Sequence, residues 1–175
     1  MMRQIKLFVI PVLLLLAFLC LITIFLPSQI MVSKTISINA NPHIVSWQIT
    51  NFNSWKNWNP LFEDKNITID INQNTDTPYA ILTDKNQKKL ILRLIHSSPK
   101  NVDIALSNGG NSTETYQFIL VTNNNGETQI TWNVNSQLKW YPWKKLTGVF
   151  MDKIKGPQYE EVLKNLKTIC EKFPH

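Results

Sequence analysis

Glu127-Thr128-Gln129-Ile130-Thr131-Trp132-Asn133-Val134-Asn135 sets Ile130, Trp132 and Val134 against Thr131, Asn133 and Asn135. Successive side chains on a strand point to opposite faces, so this alternation reads as a strand with one buried face. The stretch before it, Glu114–Thr122, repeats the pattern with Tyr116, Phe118 and Leu120, and Asn123–Gly126 between them is a turn. Outward from this pair, further strands are predicted at Asn66–Asn72, Pro78–Asp84, Lys89–His96 and Asn101–Ser107. The breaks at Gln73–Thr77, Lys85–Lys88, Ser97–Lys100 and Asn108–Thr113 carry turn residues. Connections this short predict an antiparallel meander.

Upstream, Val32, Lys34, Ile36 and Ile38 alternate with Ser33, Thr35 and Ser37, which predicts a first strand over Met31–Ile38. Asn41 is suited to cap a helix and Pro42 to start it. Short helices are expected at His43–Thr50 and Asn51–Trp58, closed by Asn59-Pro60. Downstream, Leu146, Val149, Phe150, Ile154, Val162, Leu163, Leu166, Ile169, Cys170 and Phe173 recur at steps of three and four, the period of a helix. Gly156-Pro157 interrupts the run and predicts a kink or a break. A curved antiparallel sheet needs a cover for its apolar face, and this C-terminal helix is the one element long enough. The expected fold class is α+β: about seven strands wrapped around a long C-terminal helix, with space for a cavity between them.

The first residues are of another kind. From Leu7 to Leu26 every residue is apolar except Thr23. A helix of that length spans roughly 30 Å, the thickness of a hydrocarbon core. A cleaved signal peptide has a shorter apolar core and a small-residue cleavage site, which Pro27-Ser28-Gln29-Ile30 does not supply. The expectation is a transmembrane anchor over residues 1–29 and a single domain over 30–175. Arg3 and Lys6 precede the span and the first basic residue after it is Lys34, so the N-terminus is expected in the cytoplasm and the domain outside. The 175 residues carry a formal charge of +6. With Arg3 and Lys6 set aside, 16 basic residues face 12 acidic ones, a charge of +4 that suits an anionic surface. An extracytoplasmic position argues against nucleic acid as a partner. Cys20 in the span and Cys170 near the end predict no internal disulfide.

Three stretches resemble a known group. Ile38-Asn39-Ala40-Asn41-Pro42-His43-Ile44-Val45 is similar to a strand-to-helix passage of the form I-x-A-x-P-x-x-V. Trp55-Lys56-Asn57-Trp58-Asn59-Pro60 is similar to W-x-x-W-[SN]-P. Gly156-Pro157-Gln158-Tyr159, continuing to Leu163, Leu166 and Lys167, is similar to G-x-x-[FY]-x-x-x-L-x-x-L-K. In this order the stretches resemble the helix-grip superfamily of START-like lipid-binding domains and polyketide cyclases/dehydrases (SRPBCC), and membrane-anchored members with one N-terminal span. The resemblance implies the helix-grip fold and a cavity for an apolar ligand. It implies no reaction, because the superfamily holds both enzymes and carriers.

Signatures of catalysis are scarce. The sequence has no Gly-rich phosphate loop, nucleophile elbow or metal-ligand spacing, so no metal and no cofactor is expected. His43 falls in the first turn of a helix, His175 is terminal, and His96 reads as a strand-end surface residue. Asp103 and Glu114 read as strand-edge charges. General acid–base work needs a positioned pair, and none is identifiable. Trp47, Trp55 and Trp58 read as packing between the short helices and the long one. The expected cavity lining is Leu92, Ile104, Tyr116, Phe118, Trp132 and Phe150.

A membrane-facing end is also expected. Lys139-Trp140-Tyr141-Pro142-Trp143-Lys144-Lys145 mixes lysines with aromatics, a composition suited to a bilayer interface. In the resembled fold the first strand lies antiparallel to the last. The start of the first strand then shares one end with the turns at Lys85–Lys88 and Asn108–Thr113. That end, with Lys85, Lys88, Lys89, Lys139, Trp140, Trp143, Lys144 and Lys145, is expected beside the bilayer, because Met31 is only a short reach from Leu26. The expected function is a membrane-anchored binding module for a lipid-like or other small hydrophobic ligand. A cyclase- or dehydratase-like enzyme and a filled interaction domain are the alternatives.

Overall fold

The computed structural model describes residues 9–15, 17–18, 20–21, 28–109, 113–123, 126–137, 145 and 150–172. Seven strands form one antiparallel sheet: β1 (Gln29–Ile38), β2 (Thr68–Asn72), β3 (Tyr79–Thr83), β4 (Lys89–Ser97), β5 (Asn101–Ser107), β6 (Thr113–Thr122) and β7 (Thr128–Gln137). Strands 2 to 7 follow one another as a meander, and β1 closes on β7, giving the order β1-β7-β6-β5-β4-β3-β2. Each strand ends within two residues of its position expected from the alternation. The register sets Trp132 between Lys34 on β1 and Phe118 on β6. A bulge between Leu94 and His96 breaks the β4–β5 register, a feature that bends a strand and curves a sheet.

Helix α1 (Pro42–Thr50) begins as expected, with the Asn41 side chain accepting from the His43 amide and Pro42 in the first turn. The second short helix is instead two 3-10 turns, Phe52–Asn57 and Pro60–Phe62. The side chains of Asn51 and Asn59 cap these turns by accepting from the amides of Asn53 and Leu61.

Helix α2 (Met151–Cys170) runs without a break through Pro157. A proline restricts the residue before it by crowding that residue's Cβ, and Gly156 has none. The glycine has a second role: a Cβ there would stand 3.0 Å from Lys34 Cε and Nζ and from Asp152 Oδ1. Lys34 is the one charged residue on the inward face of β1. It crosses this bare spot to reach Asp152 at 3.3 Å and Glu160 at 2.9 Å, and those two hydrogen bonds raise its pKa above the ordinary lysine value. Further along, Lys167 Nζ donates to the Ser37 carbonyl and the Asn39 amide donates to Glu171. The helix therefore lies parallel to β1, its start at the end of the sheet where β1 begins.

The buried stripe of α2 is Gly156, Tyr159, Leu163, Leu166 and Cys170. Phe150 and Ile154, expected on that stripe, are 55% and 63% exposed because each falls on nearly the opposite side of the helix from it. Trp47 is 54% exposed for the same reason: α1 turns Val45, Gln48 and Ile49 inward. Trp55 and Trp58 are buried as expected. Trp55 packs on Phe52, Trp58 and Phe62 with centroids 4.8–5.4 Å apart, and its indole N–H donates to the Ile49 carbonyl.

The described residues among 9–15, 17–18 and 20–21 are helical, and their large apolar side chains are about half exposed or more. Among the described residues no helix is long and apolar enough to cross a membrane.

Candidate functional site: a cavity between sheet and helix

The concave face of the sheet is filled at one end and open at the other. At the filled end, α1 packs onto β5 and β6, and Val102, Ile104, Phe118, Leu120 and Ile130 are buried. The second 3-10 turn carries Leu61 over to the hollows at the other end. What remains is a cavity of about 310 Å³. Its floor is Leu90, Leu92, Leu106, Tyr116 and Trp132 on the sheet. Gln158, Tyr159, Glu161 and Val162 of α2 form one wall, and Trp55 with Asn59–Phe62 and Asp64 forms the other. A second space of about 320 Å³ adjoins it, sharing Leu61, Leu90, Leu106, Tyr116, Gln158 and Tyr159 and extending to Asn108, Glu114 and Lys155.

Of the expected lining residues, Leu92, Tyr116 and Trp132 meet in this cavity. Ile104 and Phe118 stand in the same inward rows but one step deeper, in the closed core. Phe150 is exposed at the start of α2. The residues that sequence reasoning passed over are Leu61, Leu90, Leu106, Tyr159 and Val162. Leu90 and Leu106 carried a signal, since each shares the inward phase of an expected neighbour, Leu92 or Ile104. Tyr159 stood in a quoted motif. Leu61 carried none.

Three rings define the chemistry. Trp132 meets Tyr116 edge-on at 5.1 Å, Tyr159 at 4.9 Å, and Phe118 in a stack at 5.2 Å. Burial is the main cause that pushes the Tyr159 phenol up to about 12, with the Glu114 charge adding to it. Burial raises the Tyr116 phenol further, helped by Tyr159 and Glu114. Both hydroxyls therefore hold their protons at neutral pH, as donors rather than bases. The indole N–H of Trp132 is buried and has no partner among the described residues. His43 and His96 are exposed and outside the cavity. Among the described residues no group of three or more His, Cys, Asp or Glu side chains is placed to hold a metal ion.

Of the expected membrane-surface residues, Lys85, Lys88 and Lys89 are exposed at the β3–β4 turn. Lys88 and Lys89 border a further hollow with Leu61, Leu90, Asn108 and Gly109, at the open end of the sheet. Gln29 pairs with Gln137, and Glu114 with Ser136, so β1 starts at that same end. Lys145 is half-buried. Lys139, Trp140, Trp143 and Lys144 lie outside the described residues.

No family model matches the chain, and no curated protein matches it. Solved structures do. A START superfamily protein from Mycobacterium smegmatis is 18% identical, with a TM-score of 0.61 over 82% of this chain and 98% of that one. The Zhui aromatase/cyclase from Streptomyces sp. R1128 is 11% identical, with a TM-score of 0.60 over 82% of this chain and 94% of that one. The di-domain aromatase/cyclase StfQ of the steffimycin biosynthetic pathway is 5% identical, with a TM-score of 0.62 over 82% of this chain and 51% of that one. At these identities the likeness is one of fold. The chain has the helix-grip fold of START superfamily and aromatase/cyclase structures.

Proposed function

We propose that this chain is a membrane-tethered binding module that holds a small hydrophobic ligand between the sheet and α2. The observation that carries the reading is the cavity of about 310 Å³, floored by leucines and aromatics and walled by α2 and the short helical elements. Its size is at the lower limit for small-molecule sites, roughly 300–1,000 Å³. Among the described residues the two buried phenols have no histidine or carboxylate bonded to them; they offer binding contacts and no acid–base pair, which favours a carrier over a cyclase-like enzyme.

The test is binding of the neutral fluorophore N-phenyl-1-naphthylamine to the full chain in a fluorinated surfactant. Leu106→Trp, on the cavity floor, should lower its affinity about tenfold or more while the melting temperature moves by only a few degrees. Absence of binding to the unaltered chain, or equal binding by a folded Leu106→Trp variant, would count against the cavity as a ligand site.

The tether rests on the apolar run Leu7–Leu26 and on the start of β1 at the open end of the cavity. In this reading the N-terminus is cytoplasmic and the domain is outside, its mouth turned to the bilayer. Lys88 and Lys89 at that rim suit an anionic surface, where each lysine contributes about 1 kcal/mol. Phe150 and Ile154, exposed at the start of α2, lie at the same end. The full chain should stay in the membrane fraction after alkaline carbonate washing and keep its N-terminal residues. Recovery of a soluble chain beginning near Gln29 would show a removed signal instead.

A further inference from the structure

The polar groups of the cavity are sorted by position in a way that selects among hydrophobic ligands. At its centre are Tyr116 and Tyr159, each 8% exposed, and Trp132, 4% exposed. Each ring ends in a hydrogen-bond donor: both phenols line the cavity, and the Trp132 indole N–H is buried without a partner among the described residues. The rings touch, at 5.1 Å and 4.9 Å on either side of Trp132. A buried donor left without an acceptor is destabilising, and a donor in a low-dielectric site binds an acceptor more strongly than one in water.

Among the described residues, the charged groups bordering this cavity are of one sign: Asp64 and Glu161 line it, and no described Lys, Arg or His does. Glu114, in the adjoining space, lies close enough to raise both phenols, and Lys155 lines that space with it. A ligand carboxylate drawn into the first cavity would be desolvated, would meet carboxylates, and would find no cation among the described lining residues. A neutral ligand avoids both effects and still meets the donors.

Resting on the reading of the cavity as a ligand site, we propose that it selects an uncharged hydrophobic molecule bearing a carbonyl oxygen. The oxygen accepts hydrogen bonds from Tyr116 and Tyr159, and the anion of an acid of similar shape is rejected. The phenols are then specificity-determining residues.

Displacement of N-phenyl-1-naphthylamine from the full chain at pH 7.5 by three ring compounds of similar size tests this. They are the hydrocarbon tetralin, the ketone 1-tetralone and the anion 1-naphthoate. The ketone should displace the probe at about tenfold lower concentration than the hydrocarbon, the gain expected of one or two net hydrogen bonds. Naphthoate should be the weakest of the three. Tyr116→Phe with Tyr159→Phe keeps both rings, so it should bring the ketone down to the level of the hydrocarbon and leave tetralin unchanged. Equal displacement by tetralone and tetralin in the unaltered chain, or strongest displacement by naphthoate, would overturn the proposal and leave the cavity as a non-selective apolar site. An unchanged preference for the ketone in the double variant would overturn the role of the phenols. If the probe fails to bind at all, the ligand-site reading falls with it.

Discussion

Leu163→Asp should leave the domain largely unfolded at 25 °C. Leu163 is 2% exposed at the centre of the buried stripe of α2, between Tyr159 and Leu166. The substitution removes the burial of a leucine side chain, about 2 kcal/mol, and leaves a carboxylate in its place on the buried face. An unpaired buried charge costs several kcal/mol more. The sum is comparable to the whole stability of an ordinary domain, about 5–15 kcal/mol. Thermal unfolding of the full chain followed by near-UV circular dichroism reads the effect, because that signal reports aromatic packing. Leu163→Ala should give an intermediate loss, about 2–5 kcal/mol. A folded Leu163→Asp variant with an unchanged melting temperature would show that α2 does not close the sheet through this stripe.

Trp55→Ala should be nearly as damaging, by about 3–5 kcal/mol. Trp55 is 1% exposed and joins Phe52, Trp58 and Phe62 into one aromatic cluster. Its indole N–H also satisfies the Ile49 carbonyl at 2.8 Å, fixing the first 3-10 turn against the end of α1. Removing the ring leaves a void and an unsatisfied buried carbonyl at the same position. Trp55→Phe keeps most of the packing but not the donor, so it should lose less. Trp55 also walls the cavity, so Trp55→Phe should weaken binding of the fluorophore while the chain stays folded. A loss of stability without any change in binding in that variant would place Trp55 in the core alone.

Both predictions concern residues that the sequence pointed to, Trp55 through a motif and Leu163 through periodicity. Leu163 recurs at helical steps with Leu166 and Cys170, and the same count marks the buried face observed in α2. Alternation placed seven strands with small errors at their ends, because the half-buried sheet repeats its rule every second residue. Periodicity failed at its margins. Phase was assigned to Phe150 and Ile154 from the apolar count, but the helix turns on Gly156 and Tyr159, two residues that an apolar count ranks low or skips. Lys34 was read within an apolar row, and the structure shows why a cation is tolerated there: bare Gly156 lets its ammonium reach Asp152 and Glu160.

The sequence alone determined the class of fold, the order of its elements and the inward face of each strand, since each follows from local periodicity and turn chemistry. It also carried the three stretches that proved structural, above all Trp55 to Pro60, which closes one side of the cavity. The depth of the cavity was decided only by tertiary structure. Leu92, Ile104, Tyr116 and Phe118 are equivalent by alternation, yet Leu92 and Tyr116 face empty space while Ile104 and Phe118 are sealed. The difference depends on where α1 packs across β5 and β6, a position set by packing between elements remote in the chain. The meeting of Tyr116, Trp132 and Tyr159 has the same origin. Two of these rings come from adjacent strands and the third from a helix that crosses them, and no local pattern along the chain encodes that crossing.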